Sequence, residues 1–246
     1  MPIKKTKKRG KVGLGTVCRV PMLPAEEKGG KTPIQSLNEI TWRIFRIMAE
    51  FVEGFQFLSE FKREVTIFGS ARTPESDHWY KEARKFGGML ADCGFTTTTG
   101  GGPGVMEAAN RGAFEAGGIS VGLNIQLPKE QRANPYLTHG KGFHYFFSRK
   151  VMLAASAQAY VFFPGGFGTL DEFFEMLVLI QTKKAQPVPM VCVGKEFWGP
   201  LMRYIDETMV KKFEGASPED TKLYVIVDSA EEAFRIVEKS SERTFF

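Results

Sequence analysis

Between Ile40 and Leu58 apolar residues recur three and four positions apart, at Ile40, Ile44, Phe45, Met48, Phe51, Val52, Phe55 and Leu58, with Arg43, Arg46, Glu50 and Glu53 mostly between them. Those steps match one turn of an α-helix, so the segment predicts an amphipathic helix. Its apolar stripe needs cover, from the domain's flank or from a partner subunit. From Val65 onward the pattern changes to short β-rich runs at 65–69, 95–99, 119–125, 159–163, 188–193 and 223–227. Helical segments near 77–92, 103–117, 148–157, 169–183, 196–212 and 230–239 separate them. Strands that alternate with helices predict an α/β fold built on a doubly wound parallel sheet. The organisation expected is a basic flexible tail over 1–35, a helical extension over 36–62 and an α/β domain over 63–246. Sheets of this kind take their ligands beyond the carboxyl ends of the strands, so the turns that follow strands hold the candidate chemistry.

Composition narrows the class. A chain of 246 residues with 43% hydrophobic content can fill a real core. The formal charge of +5 is unevenly spread: residues 1–31 carry nine Lys and Arg against Glu26 and Glu27, which leaves the remainder at −2. The body therefore does not resemble a nucleic-acid-binding surface, and any affinity for polyanions belongs to the tail, which otherwise reads as a solvated, disordered arm. Cys18, Cys93 and Cys192 are far apart and without CxxC or His-rich spacing, which argues against a disulfide framework or a zinc site. All three are expected to be reduced, with Cys93 and Cys192 in the core. No apolar run approaches the ~18 residues of a membrane span, and no apolar stretch follows the N-terminal lysines as in a signal peptide; a cytoplasmic protein is expected.

Three turns and one helix start carry the chemistry. After the first strand, Gly69-Ser70-Ala71-Arg72 offers backbone amides and a cation to a phosphate or base, or simply makes a tight turn. After the second, Gly100-Gly101-Gly102-Pro103-Gly104 leads into a helix, with Pro103 expected in its first turn. Glycines at such a place leave amide hydrogens and the positive end of the helix dipole open to an anion; the alternative is close helix–strand packing that admits only glycine. The turn is not the dinucleotide fingerprint GxGxxG, so a nicotinamide enzyme is not expected. After Phe163, Pro164-Gly165-Gly166-Phe167-Gly168-Thr169-Leu170-Asp171-Glu172 again strips a strand-to-helix turn of side chains and ends in a hydroxyl residue suited to phosphate. Thr169-x-x-Glu172 also matches a capping box, in which Thr169 caps the helix and Glu172 reaches back to it. Upstream, Ser148-Arg149-Lys150 opens a helix with two cations that oppose the helix dipole, which points to an anion nearby or to a solvated pair.

The segments Gly100 to Glu107, Ser148 to Lys150 and Pro164 to Glu172 resemble the LOG (Lonely Guy) family of cytokinin riboside 5′-monophosphate phosphoribohydrolases, over about residues 63–240. The helix before that region is similar to an extension of longer bacterial members. The resemblance implies a Rossmann-like domain that hydrolyses the N-glycosidic bond of a nucleoside 5′-monophosphate, AMP or a cytokinin ribotide, to free base and ribose 5-phosphate. It implies Arg149 and Glu172 as the catalytic pair. Gly166, Gly168 and Thr169 would hold the 5′-phosphate, Lys150 would add charge, and Glu130 falls where the family has a substrate-contacting glutamate. With the turn residues Gly69, Ser70, Gly101, Gly102, Gly104 and Gly165, these make the candidate site. A ligand-site threonine of plant members falls near Val178, a departure that bears on base preference. N-glycoside cleavage passes through an oxocarbenium-like sugar that a carboxylate stabilises, so neither metal nor organic cofactor is expected. Nothing resembles a pyridoxal-phosphate lysine site, which argues against amino-acid decarboxylation. His78, His139 and His144 receive no role. The competing reading is a carrier of the same fold that binds a nucleotide or pterin-type cofactor without cleaving it. A homo-oligomer, a dimer or larger, is expected from the extra apolar helix and the 22 phenylalanines.

Overall fold

The computed structural model describes residues 37–125 and 133–243. The elements run α1 (Leu37–Leu58), β1 (Glu64–Phe68), α2 (His78–Asp92), β2 (Thr96–Thr99), α3 (Val105–Glu115), β3 (Ser120–Ile125), β4 (His139–Phe143), α4 (Phe146–Ala155), β5 (Ala159–Phe162), α5 (Phe167–Gln181), β6 (Met190–Val193), α6 (Lys195–Tyr204), β7 (Val225–Val227) and α7 (Ala230–Val237). The seven strands form one sheet in the order β4-β3-β2-β1-β5-β6-β7, and every neighbouring pair is parallel. This is the doubly wound α/β sheet of a Rossmann-like fold. The chain lays strands outward from β1 to β4, then crosses back to place β5 against the other side of β1. The switch point is thus the gap between β1 and β5.

Strand alternation splits the interior into two cores. Val65, Ile67, Ala159, Val161, Val191 and Val193 face a layer that contains Phe86, Leu90, Ala109 and Phe234 from α2, α3 and α7. Phe68, Tyr160, Phe162, Met190 and Cys192 face Leu58, Met152, Phe173 and Trp198 from α1, α4, α5 and α6. Successive residues of a strand point to opposite faces, and a parallel sheet covered on both sides buries both sets, which is why β5 and β6 read as continuous apolar runs and β2 as four buried threonines.

Several sequence expectations need correction. β4, His139-Gly140-Lys141-Gly142-Phe143, was not expected, because two glycines and two basic residues hide a strand that is held by its parallel register with β3. The helix expected at 196–212 is instead α6 followed by a π-helical stretch, Ile205–Val210. Pro103 precedes the N-cap of α3, Gly104, rather than entering its first turn. Cys93 is exposed at the end of α2, whereas Cys192 is buried as expected. α5 starts at Phe167 with Gly166 as N-cap and no side-chain cap, so Thr169 and Glu172 do not form a capping box. The α1 stripe is shared: Phe51, Phe55 and Leu58 pack on the core, while Trp42, Ile44, Phe45, Met48 and Val52 remain exposed. Glu50, expected on the polar face, is buried at 4% exposure.

Candidate active site

The turns after β1 and β5 and the first turns of α4 and α5 enclose a cavity of about 720 Å³ at the switch point. Gly69, Ser70, Arg149, Lys150, Gly165, Gly166, Gly168, Thr169 and Glu172 all line it, so the structure brings together most of the residues singled out in the sequence. Arg72, Gly100, Met106, Phe146, Phe167 and Phe197 are also part of the wall. Gly101, Gly102 and Gly104 lie in the adjoining turn but not on the cavity surface, and Glu130 falls outside the described residues. Val178 lies on α5, half exposed and away from the cavity wall.

The turn glycines separate by what a side chain would meet. Gly101 and Gly104 have φ of +68° and +70°, and a Cβ there would collide with the Asn124 amide or the Ser70 carbonyl. These two positions need glycine for the fold itself. Ser70 ties the turns together: its amide donates to Pro164 O at 3.0 Å, and its carbonyl accepts from Val105 N at 3.0 Å. Gly166 and Gly168 are different, since a Cβ on either would meet nothing within 4 Å. Gly166 has φ of −98°, which any residue adopts. Neither backbone strain nor crowding within the chain requires glycine there, and the open space they leave is the cavity.

That bare segment is the N-terminus of a 15-residue helix with no acidic residue in its first turn and no side-chain cap. Amide hydrogens at a helix start have no intrahelical partner, and the helix dipole adds positive potential, so this end can receive an anion. Thr169, only 6% exposed, adds a hydroxyl at the same turn.

Across from it, α4 delivers two cations. Arg149 Nε donates to Leu123 O at 2.8 Å, which fixes the guanidinium between β3 and the cavity. Burial lowers its pKa and the nearby Glu172 opposes that shift, yet a guanidinium stays charged at any working pH. Lys150 Nζ lies 2.8 Å from both Asp171 and Glu175. Burial disfavours its charge, but those hydrogen bonds and the negative charge of Glu172 prevail and raise its pKa. Lys150 is thus already matched by carboxylates, which neither its position nor its neighbours in sequence revealed. The signal available was the i, i+4 spacing of Asp171 and Glu175 on one face of α5.

Asp171 and Glu175 pair with Lys150, whereas Glu172 makes no such ion pair. Its Oε2 is buried and has no hydrogen-bond partner. Burial pushes its pKa from 4.5 up to about 7; Lys150 and Arg149 pull it down, and Glu175 and Asp171 push it up. A buried acceptor without a donor is a net cost to the fold, so such a group marks a place where a ligand or a reacting water completes the bonding. Its pKa near neutrality suits proton transfer. Among the described residues no group of three or more His, Cys, Asp or Glu is placed to hold a metal ion, and no helix is long and apolar enough to cross a membrane.

Fold and cavity together define a Rossmann-like α/β protein with an uncapped helix N-terminus opposed to a half-buried arginine and glutamate at the switch point of its sheet. Residues 106–237 match the family model described as possible lysine decarboxylase. That is more than half of the 246-residue chain, and the chain belongs to this family, the LOG family of its named relatives. It is 27% identical over 157 residues to the cytokinin riboside 5′-monophosphate phosphoribohydrolase of Rhodococcoides fascians, covering 61% of this chain and 78% of that one. To the corresponding LOG enzyme of Oryza sativa subsp. japonica it is 29% identical, over 75% of this chain and 74% of the relative. The pyrimidine/purine nucleotide 5′-monophosphate nucleosidase of Escherichia coli K12 matches at 26% identity, over 72% of this chain and 40% of the enzyme. Among solved structures, the molybdenum cofactor carrier protein of Chlamydomonas reinhardtii superposes with a TM-score of 0.54 at 22% identity, covering 72% of this chain and 97% of that one, which shows a shared fold.

Proposed function

We propose that this protein hydrolyses the N-glycosidic bond of nucleoside 5′-monophosphates. The observation that carries the reading is the Glu172 carboxylate, half-buried with an Oε2 that has no hydrogen-bond partner and a pKa raised to about 7, beside an open helix N-terminus. The phosphate sits on the amides of the Gly166–Thr169 turn and on the Thr169 hydroxyl, which places the ribose between α5 and α4. As the C1′–N bond lengthens, its electron pair leaves with the base and positive charge grows on the sugar ring. Glu172 stabilises that charge and takes a proton from the water that attacks C1′, while the departing base is protonated at nitrogen. Arg149 orients the phosphate or ribose and offsets the charge on the leaving base. The names of the relatives, which describe phosphoribohydrolases and a nucleotide nucleosidase, agree with this chemistry.

Decarboxylation of lysine, the other activity attached to the family description, fits the site poorly. A Schiff-base lysine needs a neutral amine, whereas the cavity's Lys150 is held charged between Asp171 and Glu175. A carrier without turnover is disfavoured by Glu172, since a pure phosphate cradle has no use for a buried carboxylate that repels the ligand. Incubation of pure protein with AMP, GMP, CMP, UMP and an isopentenyladenine ribotide, with base release followed by chromatography, tests the proposal and ranks the bases. Release from at least one monophosphate, AMP foremost, is expected; binding with no release from any of them refutes the hydrolase reading.

A further inference from the structure

Glu50 sits on α1, outside the cavity, yet both its carboxylate oxygens are engaged by the start of α4. Oε1 accepts from His144 N at 2.5 Å, and Oε2 accepts from Tyr145 N at 3.3 Å and lies 2.5 Å from Ser148 Oγ. Tyr145 is the N-cap residue of α4 and its own side chain caps nothing; the first turn of α4 holds no acidic residue. The negative charge that a helix start favours therefore comes from a different helix. Ser148 is fully buried, and the next two residues are Arg149 and Lys150. Two adjacent cations so near a helix start oppose the helix dipole, and a buried carboxylate at that end offsets them. Around this contact, Lys141 of β4 pairs with Glu53 at 2.8 Å, and the Phe51 and Phe147 rings stack at 6.4 Å.

We propose that Glu50 is a positioning residue for Arg149: from the N-terminal helix it clamps the start of α4 and so fixes where the guanidinium enters the site. The inference rests on the hydrolase reading. Arg149 is held at two points, its backbone through the Glu50–Ser148 contact and its head through Leu123 O on β3. Loosening the first point moves the Arg149 backbone relative to the second, and displacement of a reacting group by about 1 Å can slow a reaction by ~10²-fold. α1 is on this view part of the catalytic framework rather than an appendage.

Glu50→Gln keeps the shape of the side chain but turns an NH₂ toward one of three donors. It is expected to lower kcat on AMP by about 10- to 100-fold. In an Arg149→Lys background the same change should alter kcat by less than about twofold, because the group it positions is already gone. The loss of melting temperature should be the same in both backgrounds. Glu53→Gln, on the same helix but away from α4, should leave kcat within about twofold of wild type. Equal falls in kcat in both backgrounds would assign Glu50 a purely structural role, and no fall in either would remove it altogether. If Glu50→Gln does not fold, Glu50→Asp keeps the charge at shorter reach and should show a smaller loss with the same dependence on Arg149. Should the wild-type protein release no base, the hydrolase reading fails separately. The clamp is then read in AMP affinity by calorimetry: weakening by Glu50→Gln that vanishes with Arg149→Lys supports it, and unchanged affinity overturns it.

Discussion

Replacing Glu172 by glutamine separates a catalytic carboxylate from a structural one, and the structure sets the sign of both effects. As a cap, the glutamate would lose little by the change; but it caps nothing, and its Oε2 has no partner. Burial raises its pKa from 4.5 to about 7. Between those values the native state keeps a proton that the unfolded chain has given up, so stability falls as pH rises through the window, and the deficit is complete above about pH 7. A shift of that size corresponds to about 3 kcal/mol between the two states, and partial solvent exposure reduces it to on the order of 1–2 kcal/mol. Glu172→Gln removes the penalty, so at pH 8.5 the variant should melt a few degrees above wild type, and at pH 4 the two should coincide. Turnover of AMP should move the opposite way, slower by roughly 10²–10⁴. In the wild-type protein kcat/KM should rise about tenfold per unit below pH 7 and level off above it, as the carboxylate forms; the residual activity of the glutamine variant should lack that limb. Thermal melts at the two pH values and adenine release across pH 5–9 measure all of this. A variant that cleaves AMP near the wild-type rate, or that is less stable than wild type at pH 8.5, refutes the reasoning.

The glycine turns yield a paired prediction: Gly168→Ala, whose Cβ meets nothing within 4 Å, should leave the melting temperature unchanged and raise KM for AMP. Gly104→Ala, with φ of +70° and a clash on Ser70 O, should destabilise by more than about 1 kcal/mol in a thermal melt. Light scattering at micromolar concentration should show at least a dimer, because Trp42, Phe45 and Val52 are 68%, 55% and 66% exposed on α1; Trp42→Glu should weaken that assembly, and a monomeric wild type would contradict it. Removal of residues 1–31, which carry the excess of lysine and arginine, should leave turnover intact, whereas loss of activity would bring the tail into the site.

Periodicity made the α/β alternation legible because strands buried on both faces are built mostly of apolar and β-branched residues, as Val65 to Phe68 and Ala159 to Phe162 are. It failed at β4, where Gly140 and Gly142 carry no side-chain signal and the pairing with β3 alone defines the strand. The site was legible for a related reason: stripped turns such as Gly165 to Gly168 stand out against chain that otherwise needs side chains to pack. What that signal lacked was the division of labour among the glycines, since φ and crowding at Gly104 and open space at Gly168 look identical in one dimension. Burial of Glu50 was also invisible, because a charged residue between apolar positions reads as solvent-facing until its partners on α4 are known. The capping-box reading of Thr169 and Glu172 failed for a local reason, a helix that begins three residues earlier than a cap at Thr169 requires.

The measurement that bears most directly on the central claim is the product balance from AMP, compared with adenosine under the same conditions. Adenine and ribose 5-phosphate should appear in equal amounts from AMP, with adenosine cleaved far more slowly because nothing then occupies the helix end at Gly166 to Thr169. AMP recovered intact after binding, or equal rates on the two substrates, would contradict the account.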